Sequence, residues 1–206
     1  MSHYAKNFEN YRRFLNKILR YDLRMFDIPK ESRILDVGCG FGEDVVRLQK
    51  LGYGNVIGID PDPFCIEKRG NLDLRLGSLE QTGLESQSFD IVLVNNVFHH
   101  ISEYKDGLEE ISRVLKPGGM LCLIEPRPSV LRWLMDFITF KTPLPGLLGG
   151  PLRMRYLVMS EEIATGLYPK WLKGNREFIK LFRRSFNLLW LKKGAFFYIS
   201  KARKPG

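Results

Sequence analysis

An apolar strand that ends in three alternating glycines is the feature that most constrains this chain. Residues 34–42 read ILDVGCGFG, and VIGIDPD follows about twenty residues later at positions 56–62. The three glycines let the backbone turn sharply and approach a ligand more closely than a side chain would allow. Asp60 ends the second predicted strand, where a carboxylate can accept hydrogen bonds from both ribose hydroxyls. This pairing predicts parallel strands with a nucleoside-binding crevice at their carboxyl ends.

The spacing of the glycines narrows the choice of nucleoside. A dinucleotide site uses G-x-G-x-x-G and a helix N-terminus that faces a pyrophosphate. Here the third glycine comes one residue earlier, and Asp36, Glu43 and Asp44 flank the turn. Carboxylates beside the turn would repel a pyrophosphate, whereas they suit a ligand that carries an ammonium or a sulfonium group.

A second apolar run with its own flanking signals lies further along the chain. FDIVLVN at 89–95 is followed by NVFHHI, and apolar residues at helical spacing cover 107–115. The helix is predicted to end at KPGG, residues 116–119, before the strand MLCLI at 120–124. Together these segments resemble the class I S-adenosylmethionine-dependent methyltransferases, in particular their small-molecule, type 11-like branch. The resemblance covers residues 30–126.

The resemblance implies an α/β fold with a Rossmann-like, doubly wound sheet of seven mostly parallel strands and an antiparallel last strand. It also implies a helical N-terminal extension and a helical lid inserted after strand five. We expect one methyltransferase domain over residues 1–206. Its predicted parts are an N-terminal helix (1–29), a cofactor-binding core (30–126), a lid or substrate insertion (127–175), and a helix with a C-terminal hairpin (176–206).

Local patterns predict the individual elements. The N-terminal helix is expected over residues 5–27, from apolar residues at helical spacing. Core strands are predicted at 33–37, 55–59, 72–76, 89–95 and 120–124, with helices at 43–51 and 63–69 after the first two. The last third is predicted to contain a helix at 127–141, an irregular loop at 142–151, a helix that starts at Ser160, a helix at 176–185, and hairpin strands at 187–191 and 195–202.

The resemblance implies S-adenosylmethionine as the cofactor and S-adenosylhomocysteine as its product. The glycines should line the methionine portion and the ribose, with Asp36 near the methionine ammonium and Asp60 on the ribose hydroxyls. Pro61 and Asp62 should border the adenine. The full set of predicted cofactor-binding residues is Asp36, Gly38, Gly40, Gly42, Asp60, Pro61, Asp62, Gly77, Ser78, Leu79, Asn95, Asn96 and Val97.

Two further strand ends complete the predicted cofactor site. Gly77, Ser78 and Leu79 should form the adenine edge, although the family usually carries an aspartate where Ser78 stands. The hydroxyl of Ser78 and the backbone N–H of Leu79 still offer polar contacts there. Residues 95–97, at the end of strand four, should contact the methionine moiety or the methyl end.

Candidate catalytic groups are few. A sulfonium already activates its methyl group, so the protein needs mainly to align the acceptor and exclude water. His99 and His100 are the candidates for a base, because an imidazole titrates near neutral pH. The competing interpretation is that one histidine packs against the sheet while the other satisfies a backbone group. No metal site is predicted.

The basic charge of the chain is confined to its last part. The net charge is +9, yet residues 1–125 carry 16 basic and 19 acidic side chains, whereas residues 126–206 carry 16 and 4. Such asymmetry indicates an anionic partner, which can be nucleic acid, a membrane surface or an acidic small molecule.

Residues 127–175 combine aromatic and aliphatic side chains with several arginines. This composition favours a small-molecule acceptor that is hydrophobic or amphipathic, lipid-like or anionic; the alternative is that the insertion covers the sheet edge or forms a dimer contact. A second hypothesis is an RNA methyltransferase, although the base-methylating signature N-P-P-[YF] is absent where NNVF stands. A third is a non-catalytic module that binds a nucleoside and a membrane surface or a protein partner.

Compartment signals favour the cytoplasm. Cys39, Cys65 and Cys122 are odd in number and form no C-x-x-C pair, which is typical of buried thiols in a reducing compartment. The N-terminus lacks the apolar core of a signal peptide, and no apolar run approaches the ~18 residues of a membrane span. The sequence leaves the oligomeric state open.

Overall fold

A seven-stranded sheet forms the centre of the protein. The computed structural model describes residues 22–67 and 70–206. The strands are β1 (Ile34–Val37), β2 (Val56–Asp60), β3 (Leu74–Leu76), β4 (Phe89–Asn95), β5 (Leu115–Pro126), β6 (Asn187–Lys193) and β7 (Phe197–Arg203). The helices are α1 (Glu43–Lys50), α2 (Pro63–Ile66), α3 (Tyr104–Val114), α4 (Val130–Lys141), α5 (Leu144–Leu148), α6 (Gly150–Ala164) and α7 (Leu167–Ser185), with 3-10 turns at Leu23–Phe26 and Phe98–His100.

The strand order is β3-β2-β1-β4-β5-β7-β6. β1 to β5 pair in parallel, whereas β7 is antiparallel to both of its neighbours, β5 and β6. The order reverses between β1 and β4, and a crevice forms at the carboxyl ends of strands at such a point. The predicted Rossmann-like sheet with an antiparallel last strand is therefore confirmed. Residues 5–21 of the helix predicted at 5–27 lie outside the described residues.

The central strands are mostly apolar because both faces of the sheet are covered. All four residues of β1 are buried. Its side chains alternate between two cores: Leu35 packs with Val92 and Val94 on one face, whereas Ile34 packs with Leu93 on the other. This two-sided burial fixes the register of β1 between β2 and β4, and thereby the position of the glycine turn that follows it.

Helix α7 anchors the segment that follows β4. The ring of Phe178 lies 4.8 Å from the rings of both Phe98 and Trp171, measured between centroids. The indole N–H of Trp171 donates to the carbonyl of Pro126 at 2.8 Å. Trp171, Phe178 and Phe98 are all fully buried. The turn after β4 and the end of β5 are thus held together by one helix.

The irregular loop predicted at 142–151 is wrong in part. Helix α5 occupies Leu144–Leu148, and α6 begins at Gly150. The prolines that suggested a loop stand in the first turns of these helices, at Pro145 and Pro151, where a missing N–H costs nothing. Gly149 and Gly150 have φ values of 63° and 55°, so the break between the helices is short.

The helix start predicted at Ser160 is also wrong. Ser160 lies inside α6, and its hydroxyl donates to the carbonyl of Tyr156 at 2.6 Å instead of capping a new helix. Gly166, with φ of 76°, separates α6 from α7, which starts well before the predicted residue 176. The predicted boundary between lid and C-terminal part, at residue 175, therefore falls within α7, and the insertion proper contains α4, α5 and α6.

Cys39, Cys65 and Cys122 are buried and free. Burial raises the pKa of the Cys122 thiol to about 12, so this group is an inert part of the core. Within the described ranges, no helix is both long and apolar enough to cross a bilayer. The cytoplasmic location inferred from the cysteines stays a prediction.

Candidate active site

The three glycines after β1 form a turn that other residues cannot adopt without strain. Gly38, Gly40 and Gly42 have φ values of 67°, 53° and 77°, in the left-handed region. A Cβ atom on Gly38 would lie 2.4 Å from Cγ2 of Val97, which follows β4. The turn of β1 is therefore packed directly against the end of β4, as the crevice at this switch point requires.

Asp60, at the end of β2, holds this turn in place. Its Oδ2 accepts a hydrogen bond from the N–H of Gly40 at 2.8 Å, and its Oδ1 accepts one from the N–H of Asp62 at 3.0 Å. Asp62 in turn accepts from the N–H of Phe64 at 2.9 Å and caps α2, while Pro61 is exposed. A carboxylate has about four lone-pair sites, so Asp60 can also accept from ribose hydroxyls.

Two buried carboxylates flank the turn. Asp36 in β1 and Asp44 in α1 are each 1% exposed. Asp44 pairs with Arg47 at 2.9 Å and accepts from the Asn95 amide at 2.6 Å, and that amide oxygen accepts from Asn96 at 2.8 Å. Both amide atoms of Asn95 are thus engaged within the protein, and they join α1 to the end of β4. The negative charge near the turn suits a cationic ligand.

The end of β3 supplies the third side of the crevice. A Cβ atom on Gly77 would lie 2.7 Å from the carbonyl oxygen of Thr82, so only glycine fits there. The Ser78 hydroxyl accepts from the N–H of Gln81 at 3.1 Å, which commits it to a tight turn. The side chain of Leu79 is 2% exposed and belongs to the core. Any adenine contact at this edge must therefore come mainly from backbone atoms.

A histidine–glutamate pair lies where β4 and β5 end. Glu125 is fully buried; its Oε1 accepts from the N–H groups of Val97 and Phe98, both at 2.7 Å, and its Oε2 lies 3.0 Å from Nδ1 of His99. His99 is 5% exposed, whereas His100, whose ring centroid is 4.0 Å away, is exposed. The structure therefore separates the two predicted base candidates into a buried one and an accessible one.

Burial controls the protonation of this pair. It lowers the pKa of His99 to about 3, with a smaller contribution from the charge of Arg132, so the imidazole is neutral at neutral pH. Burial raises the pKa of Glu125 to about 8, and the backbone N–H groups of Phe98 and Val97 oppose this change. In either charge state a single proton lies between Oε2 and Nδ1, which orients the imidazole.

A polar cluster from the insertion and α7 covers this region; we call it the lid cluster (Arg132, Arg155, Glu162 and Tyr168). Arg132 donates to the Tyr168 hydroxyl at 2.8 Å, and the ring of Tyr168 lies 6.1 Å from that of His99. The four side chains are at most 9% exposed. Burial raises the pKa of Glu162 to about 7, and the charges of Arg155 and Arg132 oppose it.

One grouping in this region has the composition of a metal site. Ligand atoms of His99, His100 and Glu162 lie within 4.8 Å of one another. However, Arg132 and Arg155 are close enough for their charges to act on Glu162, and two guanidinium groups would oppose a bound cation. We interpret these residues as part of the polar network, and the absence of a metal site stays a prediction.

The sequence did not predict a site role for Glu125, the contact of Asp44 with Asn95, or the grouping of the lid cluster. Glu125 had a detectable signal, because it follows the apolar run MLCLI as Asp60 follows VIGI. The lid cluster had none, because its members come from three helices whose packing no local pattern specifies. Among the predicted cofactor residues, the structure brings the turn, the end of β2 and the end of β4 together.

Comparisons with known proteins agree with this architecture. Residues 35–123 match the family model described as "Methyltransferase domain". The demethylmenaquinone methyltransferase of Chlorobaculum parvum is 32% identical over 127 residues, which cover 58% of this chain and 52% of that protein. The tRNA U34 carboxymethyltransferase of Saccharophagus degradans is 35% identical over 104 residues, which cover 46% of this chain and 32% of that protein. The chain spans about half the length, or less, of the curated relatives it matches.

Solved structures share the fold across nearly the whole chain. A methyltransferase from Methanosarcina mazei, described as dependent on S-adenosylmethionine, superimposes with a TM-score of 0.63 at 18% identity and covers 90% of this chain. The superposition includes 98% of the Methanosarcina protein. The fold is shared with solved methyltransferases described as dependent on S-adenosylmethionine. Residues 35–123 are similar to the methyltransferase domain that the family model of the type 11 branch describes.

The residues present fit the cofactor of this class. The glycine turn has the positive φ values that its three glycines permit, and Asp60 accepts a hydrogen bond from the N–H of Gly40 within that turn. The buried carboxyl group of Asp36 lies in the strand that leads into the turn, whereas Asp44 is already paired with Arg47. The expected adenine contact through a side chain at position 78 is the weakest part of the fit, because Ser78 is used within its own turn.

Proposed function

We propose that this protein transfers a methyl group from S-adenosylmethionine to a small hydrophobic or amphipathic acceptor. One observation carries the proposal: the Glu125–His99 pair and the lid cluster lie at the ends of β4 and β5, beside the glycine turn that would hold the cofactor. An acceptor bound under the insertion would meet the methyl end at this point. The sulfonium of the bound cofactor supplies an already activated methyl group.

The protein itself aligns the acceptor with the cofactor, excludes water, and holds one proton between Glu125 and His99. Val97 contacts the glycine turn and is held by Glu125, so the cofactor-binding turn and the base candidate share one support. His99 is neutral, and its Nδ1 is occupied by Glu125. When Glu125 is ionised, Nδ1 of His99 carries the proton, and Nε2 can accept a hydrogen bond from a hydroxyl or amine nucleophile and so align it.

The chemistry of the acceptor is inferred from the insertion. Residues 127–159 contain one acidic and five basic side chains, and their other side chains are largely apolar. A relative at 32% identity is named for demethylmenaquinone, a lipophilic acceptor class. Both observations favour an acceptor with an extended apolar part, with or without an anionic group.

Binding of the cofactor is tested by calorimetry with S-adenosylmethionine, S-adenosylhomocysteine and NAD. We expect the first two to bind and Asp60→Ala to weaken them by about ten-fold or more, since a charge-assisted contact to the ribose is lost. Asp73→Ala is the matched control, because Asp73 is paired with Arg75 on the surface. Binding of NAD without binding of S-adenosylmethionine would overturn the proposal.

A second candidate, methylation of RNA, is favoured by the charge of residues 126–206 and by the relative named as a tRNA U34 carboxymethyltransferase. One experiment separates the two. The protein is incubated with cofactor labelled in the methyl group and a cell extract, which is then divided into organic, aqueous small-molecule and RNA fractions. Label in the organic fraction supports the first proposal, and label in RNA supports the second. Cofactor binding without label in any fraction supports a non-catalytic module.

A further inference from the structure

Helix α4 has its polar and apolar sides reversed relative to an ordinary surface helix. Arg132 and Thr139, on its inner side, are 6% and 0% exposed. On its outer side Val130, Trp133 and Phe137 are 84%, 65% and 46% exposed. These last three, together with Leu134 at 44%, follow the spacing i, i+3, i+4, i+7 of one helical face.

Hydrogen bonds explain why polar residues are buried on the inner side of α4. Arg155 of α6 donates to the Thr139 hydroxyl at 2.7 Å and is paired with Asp136, while Arg132 donates to Tyr168. These polar contacts hold α4 to α6 and α7. The outer side has no such partner among the described residues, apart from the stacking of Trp133 on Phe137 at 5.7 Å between centroids.

The neighbouring helix carries two more exposed apolar side chains. Helix α5 packs against both α4 and α6, and its Leu147 and Leu148 are 74% and 70% exposed. We call the outer side of α4 together with these two leucines the α4–α5 face. Large apolar side chains grouped in this way mark an interaction site rather than ordinary surface variation.

The charges around the α4–α5 face are basic. Lys141 at the end of α4 and Arg153 in α6 are exposed. The turn between β6 and β7 brings Lys192 and Lys193 near the start of α4, because the Ser129 hydroxyl donates to the carbonyl of Ala195 at 2.5 Å. The acidic residue of the segment 127–159 is Asp136, which is already paired with Arg155.

We propose that the α4–α5 face docks on the surface of an anionic lipid bilayer. An apolar helical face with aromatic side chains and a basic surround is the composition of a segment that lies in the membrane interface. Each basic residue near an anionic leaflet strengthens such binding. A second copy of the chain fits less well, since a symmetric contact would bring the same basic residues together.

Docking at this face would place the candidate active site close to the bilayer. Val130 begins α4 five residues after Glu125, which pairs with His99. A lipid-soluble acceptor could then enter from the membrane without crossing water. The docking itself does not depend on methyl transfer, so the two are measured separately.

The test is co-sedimentation of the full chain with vesicles of phosphatidylcholine, with and without about 30% phosphatidylglycerol. We expect binding to the anionic vesicles that weakens with salt. Trp133→Gln together with Phe137→Gln should reduce the partition coefficient about ten-fold or more. Leu189→Gln is the control, because Leu189 is 45% exposed but lies on β6. Cofactor calorimetry on each variant verifies that the core is intact.

Two results would overturn the proposal. One is equal partitioning of the double variant and the wild-type chain. The other is a stable dimer in light scattering that the double variant converts to monomer, because a second copy would then cover the face. As an independent readout in a Trp190→Phe variant, which removes the half-buried third tryptophan, brominated acyl chains should quench the fluorescence of Trp133, whereas Trp171 is fully buried and should be unaffected.

Discussion

Oε2 of Glu125 lies 3.0 Å from Nδ1 of His99, and the two side chains are 0% and 5% exposed. Glu125 lies at the end of β5, and His99 follows β4, so the pair joins the carboxyl ends of two adjacent parallel strands. The other carboxylate oxygen accepts from the N–H groups of Val97 and Phe98. A single buried side chain therefore fixes the conformation of the turn that carries His99.

Replacing Glu125 with alanine should destabilise the protein by about 3–5 kcal/mol, because two backbone N–H groups and an imidazole would lose their buried partner. Glu125→Gln should cost less than half of that, since the amide oxygen can still accept from both N–H groups. Urea unfolding measures both values. Glu103→Ala is the control, as the side chain of Glu103 is 68% exposed; an equal cost at both positions would contradict the supporting role of Glu125.

The central strands were predictable because a parallel sheet leaves a simple trace in the sequence. Strands buried on both faces form nearly continuous apolar runs, so β1 and β4 were found within one residue of their observed ends. The glycines after β1 have positive φ values, which few other residue types tolerate, so their spacing reports the turn directly. Asp60 was assigned correctly to the end of β2 because it follows a buried apolar run.

The helix predicted at 127–141 matches α4, whereas the bounds of the helices that follow it were wrong because their local signals are ambiguous. Proline occurs in loops and also in the first turn of a helix, where Pro145 and Pro151 stand. The apolar side chains of α4 were interpreted as part of a lid, yet the buried residues of this helix are Arg132 and Thr139. Only the packing of α4 on α6 and α7 decides which side is buried, and that information is tertiary.

Substituting alanine for Gly38 should destabilise the protein by about 2–5 kcal/mol and abolish cofactor binding. An alanine at position 38 would be strained by the positive φ of the backbone there, and its Cβ atom would lie 2.4 Å from Cγ2 of Val97. Backbone strain and overpacking would therefore both lower the stability. Adding Val97→Ala should recover part of the stability, because the clash is removed while the strain remains. Thermal unfolding of the two single variants and the double variant gives the coupling.

The matched control for Gly38 is Gly52. Its φ is +90°, but a Cβ atom there would meet nothing within 4 Å. Gly52→Ala should therefore cost only the strain, about 1–2 kcal/mol, and leave cofactor binding unchanged. Similar losses at both glycines, or no rescue by Val97→Ala, would mean that the contact with the end of β4 is unimportant.

Glu110 should contribute stability that depends on pH. The hydrogen bond from Arg113 lowers its pKa to about 2, burial opposes this, and Thr82 donates to the same carboxylate. The lowered pKa means that the contribution is present above pH ~4.5 and lost as the pH falls towards ~2. Glu110→Gln should cost about 1–3 kcal/mol at pH 7 and progressively less below pH ~4.5. Glu109→Gln, on the exposed side of α3, should cost less than about 0.5 kcal/mol at every pH.

His99 should make the protein sensitive to acid, because its imidazole is buried in the folded state. Burial lowers its pKa in the folded state to about 3, from the ordinary value of 6.5. Between these values only the unfolded chain binds the proton, so the contribution of His99 to stability is lost as the pH falls from 6.5 towards 3. The free-energy cost of His99→Gln should therefore be smaller at pH 4 than at pH 7, by about 1–3 kcal/mol in urea unfolding. A cost of His99→Gln that is independent of pH would show that the imidazole is protonated in the folded protein.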